Sequence, residues 1–180
     1  MNEEMKRYFE ELESKDKTSQ YEAYQHIMAE TEQEVDWAYE VWDDLKADLT
    51  HKDAHRRSRA AQFLAQLAIS DPENRMLHDF PDVWEVTFDS KFVTARHSLQ
   101  AIWRVGLAGP EHKQLVMDHL TNRFENCQDE KNYTLIRFDI MEGMRSLYDY
   151  LEDPEIKRTA LDLIEKEQDA KYRKKYASVW

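Results

Sequence analysis

The chain has 180 residues, a formal net charge of −12 and a single cysteine among only three glycines and four prolines. Such a balance excludes a disulfide framework and sheet-forming hairpins, and it offers a polyanion an unfavourable average field. No run of about 18 apolar residues is present to cross a membrane, and the opening Met-Asn-Glu-Glu-Met-Lys lacks the apolar stretch of a secretory signal. A cytoplasmic, acidic protein is expected.

In chain order, the first helix is predicted over 3–13 and the second from Gln20 to Ile27, with Asp16 at its start. A strongly acidic helix is predicted over 34–49, followed by Asp53 and the segment Arg57–Leu64. Asp71-Pro72-Glu73 carries helix-start chemistry, but a helix continuing to Asp89 would place Pro81 in its interior. A short turn ending near His78 and a new helix from Pro81 are therefore expected. Next come the segment Ala95–Ile102, a helix over 111–126 opened by Gly109-Pro110, and the segment Arg137–Met144. Asp153-Pro154-Glu155 opens a helix over 155–167, and Asp169 precedes the segment Arg173–Trp180.

These pieces repeat. The segments ending at Ile27, Leu64, Ile102, Met144 and Trp180 lie 37, 38, 42 and 36 residues apart. Four residues before each end stands Ala23, Ala60, Ser98, Ile140 or Tyr176. The period is that of two helices and two turns, so the expected fold is all-α: one domain over 1–180, an α-α superhelix (solenoid) of about five antiparallel helix pairs.

The stretch Asp53-Ala-His-Arg-Arg-Ser-Arg-Ala-Ala-Gln-Phe-Leu-Ala-Gln-Leu-Ala68 resembles the second helix of a HEAT repeat, an armadillo-like family. Ile136-Arg137 and Tyr172-Arg173 match its apolar-Arg pair, and Ala101-Ile102 its closing residues, whereas Trp103 and Arg145 stand where the family has small residues. The resemblance implies that the second helices line a concave face. It says little about chemistry, because such arrays serve scaffolds, transport receptors, lyases and some enzymes.

On that implied inner face the aligned rows read Gln25, Gln62, Gln100, Glu142 and Glu22, Arg59, His97, Asp139. Residues three apart share a helix face, so the two rows form one polar strip. The strip either stitches neighbouring units, with Glu22 on Arg59 and Asp139 on Lys174 as ion pairs, or offers amides and charges to an extended peptide. Leading helices concentrate acids, while Arg56, Arg57, Arg59, Lys91, Arg96 and Arg104 gather on the second helices. The binding surface expected from this comprises Arg59, Gln62, Arg96, His97, Gln100, Trp103, Arg104, Asp139 and Glu142. Trp103 is either its anchor or a filler between units.

The expected function is a noncatalytic protein-binding scaffold that holds a polar or acidic partner segment. The alternative is a DNA-binding HEAT-like enzyme resembling the alkylpurine DNA glycosylases, to which Arg59, Arg96, Trp103, Arg104 and Asp139 would contribute. A bilin lyase is a third reading, resting on fold resemblance alone. No catalytic residue, cofactor or metal site is assigned. His51 and His55 have i, i+4 spacing but straddle a turn, and no phosphate-binding loop or His-Glu-x-x-His motif occurs. Cys127 is expected to be packed rather than nucleophilic.

Overall fold

The computed structural model describes residues 1–180 as ten α-helices joined by turns and short 3-10 segments, with no strand. The helices are α1 (Glu3–Glu11), α2 (Lys17–Glu30), α3 (Ala38–Asp48), α4 (Ala54–Leu67), α5 (Arg75–Glu85), α6 (Phe92–Ala101), α7 (Pro110–Asn126), α8 (Tyr133–Leu151), α9 (Pro154–Glu165) and α10 (Ala170–Ala177).

Helix starts follow the side-chain chemistry. Asp16, Asp53, Asp153 and Asp169 each accept hydrogen bonds from backbone N–H groups in the first turn of α2, α4, α9 and α10. These carboxylates satisfy donors that the helix itself leaves without partners. Pro110 and Pro154 occupy first-turn positions, where no N–H is needed.

Three expectations need correction. The third helix begins at Ala38 rather than Glu34, because the preceding turn is tied to the next unit: the Val35 N–H donates to Ser70 Oγ at 2.9 Å. Asp71-Pro72 does not open α5. That helix starts after Asn74, which takes a left-handed φ of 56°, while Asp71 reaches forward to accept the Met76 N–H at 2.7 Å. Pro81 does not break α5 either. It is exposed, and the helix buries Met76, Phe80 and Val83 along one stripe, burial that offsets the one missing backbone bond.

The second helices contact one another in sequence, α2 on α4, α4 on α6, α6 on α8 and α8 on α10, while α3 touches α5 and α7 touches α9. Ala23, Ala60, Ser98, Ile140 and Tyr176 are all buried. A single cluster of buried apolar side chains runs from Met5 to Tyr176.

Long-range side-chain bonds join residues 30 to 40 positions apart. Tyr24 to Gln62, Trp42 to Asp79, Arg57 to Asp89, Lys113 to Asp153 and Arg137 to Glu167 all join one helix pair to the next. One device occurs twice. Arg57 donates back to the carbonyls of His51 and Lys52, and Arg173 to those of Glu167 and Gln168, clamping the turn before each second helix. The third unit departs from the pattern. There α6 ends at Ala101, and Ile102–Ala108 continues as a 3-10 segment packed among α4, α7 and α8, which accommodates the longer spacing of 42.

Candidate functional site

Helix α4 is sunk between its neighbours. Ser58 and Gln62 on its outward side are buried, so they form a floor with α2 as one wall and α6 as the other. The resulting open groove has a volume of about 360 Å³. Lys17, Tyr21 and Tyr24 come from α2, His55 and Arg59 from α4, and His97 from α6. No Asp or Glu lines it, although the chain carries 37 acidic residues against 25 lysines and arginines.

The floor is internally satisfied. Gln62 Nε2 donates to the Ser58 carbonyl and to Ser58 Oγ, and Gln62 Oε1 accepts from the Tyr24 hydroxyl at 2.6 Å. Burial pushes the Tyr24 phenol pKa up, so the hydroxyl keeps its proton and its donor role. Arg59 is held loosely. Its Nη1 donates to the Leu12 carbonyl at 3.3 Å, and its nearest carboxylate, Glu13, is 3.8 Å away. Burial pushes the Arg59 pKa down, against the opposing pull of Glu13. A partly desolvated guanidinium with only this one long ion pair favours a second, closer anion.

On the other side of α6 lies a second depression of similar volume, about 360 Å³. Leu99 and Ile136 help form its base, and Phe88 and Phe92 stand at its lip. Arg96 grips Asp139 with two bonds, Nε to Oδ2 at 2.8 Å and Nη2 to Oδ1 at 3.1 Å. That carboxylate raises the Arg96 pKa, chiefly through the hydrogen bond.

Comparison with models of known protein families finds no match, and comparison with curated proteins finds no significant similarity. The geometry of the chain alone therefore carries the reading of its site.

The residues expected to form one surface fall into four places. Arg59, Gln62 and His97 share the α2–α4–α6 groove, though Gln62 is floor rather than ligand contact. Arg96 and Asp139 belong to the second depression, where Asp139 is 1% exposed and Gln100 Nε2 also donates to it at 3.2 Å. Trp103 and Arg104 lie in the 3-10 segment beyond α6. Trp103 packs beside Gly143 and Tyr150, and Arg104 reaches Glu32 at 3.5 Å. Glu142 is exposed on α8. The proposed row of Arg59, His97 and Asp139 is thus broken, because Asp139 turns under Arg96. Neither stitching pair forms: Arg59 turns to Leu12 and Glu13, and Asp139 to Arg96.

Lys17, Tyr21, Tyr24 and His55 join the groove without having been singled out for it. The signal for the first three was the face shared by Lys17, Gln20, Tyr21 and Tyr24 on α2. His55 is exposed at the start of α4, while His51 turns away to accept the Asp53 N–H. No group of three or more His, Cys, Asp or Glu side chains converges as metal ligands would. Cys127 is buried, and burial pushes its thiol pKa up.

Proposed function

We propose that this chain is a HEAT-like helical-repeat module, a superhelix of five stacked helix pairs, that binds an extended acidic segment of a partner protein along its second helices. The observation that carries the reading is the α2–α4–α6 groove. It is lined by Lys17, His55, Arg59 and His97, holds no carboxylate, and belongs to a chain of net charge −12. Tyr21 adds an exposed amphipathic ring at the rim, a side chain suited to protein contacts.

Sequential contacts between second helices and side-chain bonds that join one helix pair to the next support the stacked architecture. No helix is long and apolar enough to cross a membrane. The buried, lone Cys127 suits the reducing cytoplasm expected for this protein. A glycosylase-like role draws less support. Both oxygens of Asp139 are already taken by Arg96 and Gln100, and Trp103 and Arg104 sit apart from Arg59.

The test is fluorescence anisotropy with a labelled glutamate-rich peptide at low salt, using the wild type and a Lys17→Glu/His97→Glu double variant. A charge pair at about 4 Å in water is worth about 1 kcal/mol, so reversing the charge at position 17 and adding a negative one at 97 should weaken binding by about tenfold to a hundredfold. Binding should also fall as salt rises. Absence of binding by the wild type, or equal binding by the double variant, refutes the proposal. Tighter, salt-sensitive binding of duplex DNA would favour the enzyme reading instead.

A further inference from the structure

Helix α6 separates the cationic groove from the second depression. At about 100° per residue, Val93, His97 and Gln100 share its exposed face. One flank holds Thr94, whose hydroxyl donates to the Ala54 carbonyl at the start of α4; the other holds Phe92, Arg96 and Leu99, with Arg96 on Asp139 of α8. A ligand lying in the groove against His97 therefore meets the second depression by crossing a single helix.

Of the seven large apolar side chains exposed in this chain, three, Phe88, Phe92 and Val93, cluster at this one place, with Val93 being 65% exposed. Each carboxylate lining the depression is already held by an arginine: Asp89 by Arg57, Glu130 by Arg123 and Asp139 by Arg96. Lys131, also on its wall, pairs with none of them. The depression thus has an apolar patch of Phe88, Phe92, Leu99 and Ile136 among internally paired charges, and does not repel an acidic ligand.

We infer that the groove and this depression form one bipartite site for an extended acidic segment carrying an aromatic or branched apolar side chain beside its acidic block. The acids lie along Lys17, Arg59 and His97, and the apolar side chain enters between Phe88 and Phe92 over Leu99 and Ile136. Crossing a helix about 10 Å wide takes three to four residues of extended peptide at roughly 3.3 Å each. The spacing between block and anchor is set accordingly. This inference rests on the acidic-segment reading above.

The experiment uses five labelled peptides: a block of four glutamates alone, the block with Phe four residues before or after it, the block with Phe ten residues away, and the Phe-containing peptide with its glutamates replaced by glutamines. Each is titrated against the wild type, the Phe92→Ser variant and the Lys17→Glu/His97→Glu variant. Phe92 is 38% exposed and lies outside the apolar core, so its replacement should lower the melting temperature only modestly. One of the two near-spaced peptides should bind the wild type about tenfold or more tightly than the bare block. That gain should vanish in Phe92→Ser, which still binds the bare block. If the bare block binds through Lys17 and His97 but Phe adds nothing, adds equally at both spacings, or adds as much to Phe92→Ser, the bipartite site is wrong and the acidic groove stands. If no acidic peptide binds, both readings fail. Sedimentation of the free protein provides the last arm: a dimer that Phe92→Ser converts to monomer would assign the patch to self-association and overturn the inference.

Discussion

Replacing Glu167 with alanine should loosen the end of the array more than any surface substitution. Glu167 lies in the turn between α9 and α10 and is 2% exposed; its partner Arg137 on α8 is 3% exposed. Arg137 Nη1 donates to Glu167 Oε2 at 2.6 Å, and Glu167 Oε1 accepts the Asp169 N–H at 3.0 Å. The alanine variant strands a buried guanidinium, a change that costs about 3–5 kcal/mol. Arg137 retains its bond to the Phe124 carbonyl and its place over the Phe124 ring at 4.5 Å. The lower end, about 3 kcal/mol, is therefore expected.

An Arg137→Met/Glu167→Leu double variant removes both charges. It should lose less than Glu167→Ala, because only the Phe124 carbonyl and the Asp169 N–H are left wanting, about 1 kcal/mol each. Urea unfolding followed by circular dichroism measures both. Hydrogen exchange should show α9 and α10 opening before α4 and α6 in Glu167→Ala, since each unit leans mainly on its neighbours. A loss under 1 kcal/mol, or a double variant as destabilised as the sum of the single ones, would refute the reasoning.

Acid should weaken the α3–α5 contact. Burial pushes the Asp79 pKa up, but hydrogen bonds from Lys46, His78 and Trp42 together outweigh it and hold it at about 2. A carboxylate depressed in the folded state stabilises above its unfolded pKa, so about 2 kcal/mol present at neutral pH should fade between about pH 4 and pH 2. An Asp79→Asn variant titrated by urea melts should show a flatter pH profile there; an unchanged slope would contradict it. Trp103→Ala should lower stability by about 2 kcal/mol, less than a full core truncation because the ring is only half-buried, and leave acidic-peptide affinity within about twofold. A tenfold loss of affinity per folded molecule would restore Trp103 as a contact residue.

The helical architecture was legible in the sequence because its causes are local. Aspartates cap α2, α4, α9 and α10, prolines fill the first turns of α7 and α9, and a small or apolar residue recurs four before each segment end, whereas Asp71-Pro72 and Pro81 misled because packing rather than local sequence sets the course of α5. The site was less legible because spacing fixes which face a residue occupies, not what reaches it. Gln62 and Asp139 stand on the right face, yet Tyr24 covers one and Arg96 and Gln100 saturate the other. These bonds join residues 38 to 43 positions apart, beyond any local pattern. Trp103 escaped the scheme because α6 gives way to a 3-10 segment at Ile102, which rotates every later side chain off the aligned rows. The exposed Phe88 and Phe92 carry no periodic signal, since they flank the turn between units.

The most direct test of the central claim is a two-dimensional amide NMR titration of the labelled protein with the glutamate-rich peptide at low salt. Binding in the cationic groove predicts that the shifts cluster on Lys17–Tyr24 of α2, His55–Gln62 of α4 and Val93–Gln100 of α6, and shrink as salt is raised. Shifts confined to α1, α3 or α9, or none at a large excess of peptide, would contradict it.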